Sequence, residues 1–121
     1  MKKLIFIVIG ALLMSACTSE SSYHKISAED AKEMMDTQDV VIVDVRTQEE
    51  YNEGYIENAI LIPNESISGA PSELPDKDAV ILIYCRSGNR SKQAADKLVA
   101  LGYTNIYDFG GIMDWPYEIV E

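Results

Sequence analysis

Cysteine, histidine, tryptophan and positive charge are all scarce in this sequence. Its 121 residues include two cysteines, one histidine and one tryptophan. Two cysteines, with Cys17 at the edge of an apolar leader, exclude a disulfide-stapled scaffold. The lone histidine, His24, has no set of metal ligands around it in the sequence, so it reads as an exposed linker residue. No metal and no cofactor are expected. Lysine and arginine together number 10 against 20 acidic residues. Setting aside Lys2 and Lys3 with the leader leaves eight basic residues against 20 acidic ones. That balance repels phosphate backbones and excludes general nucleic-acid binding. Long apolar runs are missing too. The stretch Leu4–Met14 reaches roughly 16 Å at ~1.5 Å per residue, about half of a ~30 Å hydrocarbon core. What remains is 47% apolar and 25% charged, an ordinary globular composition long enough for one domain.

Met1-Lys2-Lys3 is a positive head on that short apolar run, the layout of an export signal. It ends in Leu13-Met14-Ser15-Ala16-Cys17, which resembles the lipobox of bacterial lipoproteins, with Met14 where leucine is more usual. The resemblance implies that Cys17 is acylated and becomes the new N-terminus. The protein would then be exported and anchored by lipid on the periplasmic or extracytoplasmic face of a bacterial membrane. Residues 1–16 are read as this signal, 17–25 as a polar tether, and 26–121 as the folded domain.

Within the domain, Ser27 followed by Glu29 and Asp30 predicts a capped helix running to about Asp36. Val40-Val41-Ile42-Val43 is apolar on both faces and reads as a strand inside a parallel sheet. Thr47 with Glu50 forms a capping box for a second helix that Gly54 ends. A short strand at 59–62 stops at Pro63, and residues 64–78 read as a polar surface loop. Residues 79–84 form a second buried strand. Ala94, Ala95, Leu98 and Leu101 then mark one face of a helix from Ser91 to Gly102. A last strand spans 104–109, Gly110-Gly111 turns the chain, and Trp115 reads as core or pocket wall. Alternation of strand and helix predicts an α/β fold with a central, mainly parallel sheet flanked by helices.

Reactive groups in such sheets gather beyond the carboxyl ends of the strands. Cys85 stands there, followed by Arg86-Ser87-Gly88-Asn89-Arg90-Ser91 and then a helix. A tight strand-to-helix loop turns backbone N–H groups inward as a nest for an anion, and Gly88 and Asn89 tolerate the positive φ this needs. Four of the eight basic residues beyond the leader (Arg86, Arg90, Lys92 and Lys97) fall within residues 85–97. Positive surroundings favour a thiolate, so Cys85 is the candidate nucleophile and Arg86, Ser87, Gly88, Asn89 and Arg90 the candidate substrate-binding residues. Arg90 opens the helix and could brace the loop instead.

The segment Tyr84-Cys85-Arg86-Ser87-Gly88-Asn89-Arg90-Ser91 resembles the active-site loop of rhodanese-like sulfurtransferases. Val43-Asp44-Val45-Arg46 with Glu49, Glu50 and Tyr51 is similar to the family's Asp-Val-Arg segment. Gly54-Tyr55-Ile56 with Ala59 and Pro63 is similar to its Gly-His-Ile segment, and Gly110-Gly111-Ile112 with Trp115 to its C-terminal signature. Tyr55 stands where histidine is frequent, and Asn58 where glycine is common. The resemblance implies a rhodanese-like three-layer fold, working as a monomer, and sulfane transfer from thiosulfate or a similar small donor through a Cys85 persulfide. A thiol or cyanide would be the acceptor. Three alternatives stand beside it, a peripheral redox thiol needing a second protein for disulfide exchange, a non-catalytic membrane-anchored binding module, and a cysteine phosphatase or arsenate reductase. The latter families place five residues between Cys and Arg, whereas four separate Cys85 from Arg90 here.

Overall fold

The computed structural model describes residues 21–121, so the leader, Cys17 and the first part of the expected tether lie outside the described residues. Strand β1 is Tyr23–Lys25, and helix α1, Ala28–Thr37, follows. Ser27 caps α1 by accepting the Asp30 N–H at 3.0 Å. Strand β2, Val41–Asp44, leads into helix α2, Gln48–Glu53. Both halves of the Thr47–Glu50 capping box form at the start of α2, and Gly54 closes its end. After strand β3, Ile60–Leu61, comes a single 3₁₀ turn at Asn64–Ser66. Strand β4, Ile81–Cys85, helix α3, Asn89–Ala100, and strand β5, Ile106–Gly111, complete the framework, with a second 3₁₀ turn at Ile112–Asp114.

The strands form one sheet in the order β1-β5-β4-β2-β3, with every pairing parallel. Alternate residues of a strand face opposite sides, and both sides here are covered. Val43, Ile81, Ile83 and Ile106 pack with Ala94, Ala95 and Leu98 of α3. Ile42, Leu82, Tyr84 and Phe109 pack on the other side with Ala31 of α1 and Trp115. This explains why β2 and β4 read as continuous apolar runs. Each fully buried aliphatic side chain of this kind contributes about 1.5–3 kcal/mol.

Two expectations are corrected. Tyr23–Lys25, assigned to a polar tether, is an edge strand that pairs with Ile106–Asp108. His24 is therefore half-buried and stacks on Tyr107 with ring centroids 4.6 Å apart. Such pairing depends on β5, more than eighty residues away, so no local pattern announces it. The 64–78 segment is likewise more than surface loop. Asn64, Ile67 and Leu74 are buried, and the Tyr103 hydroxyl donates to the Leu74 carbonyl at 2.6 Å.

Candidate active site

All five residues of β4 are buried, and the strand delivers Cys85 to the carboxyl edge at the middle of the sheet. Cys85 is 1% exposed. Gly88 adopts φ +108°, in the left-handed region that glycine alone enters without penalty. The turn brings the Gly88 N–H back onto Cys85 Sγ, at 3.0 Å. Helix α3 starts at the next residue, Asn89.

Its start differs from those of the other two helices. Ser27 caps α1 with Glu29 and Asp30 in the first turn, and Thr47 caps α2 with Glu49 and Glu50. The first turn of α3 has neither a side-chain cap nor an acidic residue. No side chain of the helix itself offsets the orphan N–H groups and roughly half a positive charge at that end.

The floor beneath the loop is shaped by β5. Ile83 pairs with Asp108 but Cys85 with Gly111, so β5 carries an extra residue opposite Tyr84. Gly110 makes this bulge with φ +89°. The carboxylate of Asp108, 1% exposed, holds the region together. Its Oδ1 accepts the Gly110 N–H at 3.0 Å and the Ser91 hydroxyl at 2.8 Å. Its Oδ2 accepts the Tyr23 hydroxyl at 2.8 Å, and burial together with that carboxylate pushes the Tyr23 phenol pKa up. One buried carboxylate thus ties β1, β5 and the first turn of α3 into a single base. Gly111 lies so close that a Cβ there would collide with the Arg86 carbonyl. The same carbonyl accepts the Met113 N–H at 3.1 Å. Because the C=O and N–H of one peptide point in opposite directions, the Ser87 N–H points away from Met113.

The arginines separate into different roles. Arg90 forms a two-pronged ion pair with Glu50, Nη1 to Oε1 at 2.8 Å and Nη2 to Oε2 at 3.0 Å. Glu50 Oε1 also accepts the Thr47 N–H at 3.0 Å, so one carboxylate joins the starts of α2 and α3. Hydrogen bonding from Arg90 pulls the Glu50 pKa down to about 2, and Glu50 in turn raises that of Arg90. Arg86 is exposed and has no carboxylate partner among the described residues, and Ser87 and Asn89 flank the turn beside it. Asp44 and Arg46 form a separate buried pair at 2.7 Å, in which Arg46 also donates to the Gly54 carbonyl. That pair anchors the end of β2 to the end of α2.

Of the six site residues named from sequence, Cys85, Gly88 and the start of α3 converge, whereas the Arg90 side chain is held by Glu50. Glu50 was legible as a capping residue, but its grip on Arg90 was not. The supports at Asp108, Tyr23 and Met113 left no sequence signal, since each acts through a distant partner.

A cysteine at the carboxyl end of a central parallel strand, under the uncapped start of the next helix, defines an α/β protein with a thiol at the edge where such sheets bind ligands. Comparison with known proteins narrows the class. Residues 27–117 match the rhodanese-like domain. The chain is 42% identical over 86 residues, 70% of its own length and 79% of the relative's, to a protein of Allochromatium vinosum named sulfurtransferase. It is 36% identical over 94 residues, 77% of this chain and 87% of the other, to a Coxiella burnetii protein named thiosulfate sulfurtransferase GlpE. Among solved structures, a rhodanese-related protein from Thermoplasma volcanium superposes with a TM-score of 0.70 at 31% identity, covering 81% of this chain and 98% of that one. The chain belongs to the rhodanese-like family.

Proposed function

We propose that this protein is a sulfurtransferase that carries sulfane sulfur as a Cys85 persulfide. In the first step the Cys85 thiolate attacks the outer sulfur of thiosulfate. A new S–S bond forms to Cys85, the S–S bond of thiosulfate breaks, and its electron pair leaves on sulfite. In the second step cyanide, or a thiolate, attacks the terminal sulfur and the electron pair returns to Cys85. No oxidant or reductant is consumed. The carrying observation is the Gly88 N–H on Cys85 Sγ at the start of a helix free of cap and acid. Such an arrangement stabilises negative charge on the sulfur before and after the transfer. Arg86, exposed and without a carboxylate partner among the described residues, attracts the dianionic donor. Backbone N–H groups of Ser87, Gly88 and Asn89 cradle the outer sulfur, and Arg90, held by Glu50, fixes the loop rather than the substrate.

Mass spectrometry after thiosulfate treatment tests this reading. One added sulfur, about 32 Da, is expected on the protein and none on Cys85→Ala. Turnover of an aryl phosphate without any sulfur transfer would instead support the phosphatase alternative and overturn the proposal. We also propose that acylated Cys17 anchors the domain to an exported membrane face. Membrane fractionation that is lost in Cys17→Ala is the expected result, and a soluble native protein refutes it.

A further inference from the structure

A second concave site lies on the other side of the sheet from Cys85. A cavity of about 710 Å³ opens between α1, the start of β2, residues 56–58 and residues 115–118. Its floor is apolar. Ile42, Ile56 and Trp115 are buried, and Met35 and Val40 stand half-buried around them. Ile42 and Trp115 pack with Leu82 and Tyr84, whereas Cys85 belongs to the opposite apolar layer. Val40 precedes Val41, which pairs with Ile81 at the amino end of β4. At ~3.3 Å per residue, that level is more than about 13 Å from Cys85 along the strand. The two sites are distinct.

The rim of this cavity is acidic. Asp36 and Asp39 lie close together at the end of α1, Glu57 comes from the next wall and Glu118 from the C-terminal segment, all exposed. Among the described residues, Lys32 is the one basic residue that lines it. Its ammonium group already pairs with Asp36 at 2.9 Å and lies 5.7 Å over the Tyr117 ring. The protein's own cation therefore shows how this rim holds an ammonium, between a carboxylate and an aromatic face. Asp39, Glu57 and Glu118 have no such partner among the described residues. Trp115 lines the cavity, and its Nε1–H is buried with no acceptor among the described residues. An unpaired buried donor costs about 1–3 kcal/mol.

The walls are fixed in advance. Tyr55 and Val120 exchange backbone hydrogen bonds at 3.0 and 2.8 Å, which pins the C-terminal segment. Asn58, at φ +74°, completes a turn closed by the Ala59 N–H on the Ile56 carbonyl at 2.9 Å. Here asparagine replaces the glycine common at this place, because its side chain tolerates the left-handed region.

We propose that this groove binds a segment of a partner polypeptide in which basic and apolar side chains alternate. Carboxylates on three separate rim segments match several cations spaced along a chain better than one point charge. Exposed Tyr117 and Ile119 extend the apolar surface past the cavity, as an extended ligand requires. A net charge of −10 steers cationic partners toward the protein.

Trp115 is the only tryptophan in the chain and walls the groove, so its fluorescence reports occupancy directly. The probe is a short peptide of alternating lysine and leucine, with a glutamate–leucine peptide as control. A saturable change with the first and none with the second is expected. Binding should weaken as salt rises, and by about tenfold in Asp39→Asn/Glu57→Gln/Glu118→Gln, with sulfur transfer by that variant unchanged. Absence of a saturable change, equal responses to the two peptides, or full affinity in the triple variant would each overturn the proposal. The readout uses no sulfur chemistry, so it stands or falls separately from the catalytic reading.

Discussion

Replacing Glu50 with glutamine separates charge from shape at the ion pair that joins α2 to α3. The amide oxygen of the new side chain still accepts the Thr47 N–H, so the capping box survives while the ion pair to Arg90 is lost. A carboxyl drawn from its ordinary 4.5 down to about 2 corresponds to roughly 3 kcal/mol at about 1.4 kcal/mol per tenfold. The two side chains are 26% and 24% exposed, and solvent screening reduces this to about 1–2 kcal/mol. For a domain of this size the melting temperature should fall by about 5–15 °C at pH 7. The folded-state pKa is depressed, so the stabilisation is complete above pH 4.5 and disappears as pH falls toward 2. Thermal melts of Glu50→Gln and the native protein, followed by Trp115 fluorescence, should therefore differ at pH 7 and converge near pH 2. Sulfur transfer should drop with the release of Arg90. An unchanged gap across that pH range, or no gap at pH 7, would refute the argument.

Two further outcomes follow from the geometry of the loop. Gly111→Ala places a methyl group against the Arg86 carbonyl although its φ of −128° suits any residue, so the cost is steric. Destabilisation of about 1–3 kcal/mol and a displaced, inactive loop are expected, and a fully active variant with native melting would contradict the packing described. Arg86→Gln removes an exposed cation with no carboxylate partner among the described residues, so stability should change by less than about 0.5 kcal/mol. Steady-state kinetics should show KM for thiosulfate rising about 3–10-fold and losing much of its salt dependence, and an unaltered KM would remove Arg86 from donor attraction.

What could be read in the sequence was whatever depends on near neighbours along the chain. The Ser27 cap, the Thr47–Glu50 box, the apolar runs of β2 and β4 and the contiguous loop from Cys85 to Arg90 are all local patterns. What escaped depends on distant partners. Tyr23 becomes part of a strand because β5 offers it an edge and Asp108 takes its hydroxyl. Leu74 is held in place because Tyr103 reaches its carbonyl. Arg90 is tied down because Glu50, forty positions earlier, accepts from both of its prongs. Periodicity and spacing carry no information about such meetings, which arise only once the sheet has assembled.

The outermost strands, β1 and β3, are only three and two residues long. Each margin of the sheet therefore offers few unpaired backbone groups to a neighbouring molecule. Crowded side by side at high local density, copies of this domain have almost no template on which to add strand to strand. Brevity at the margins guards against aggregation.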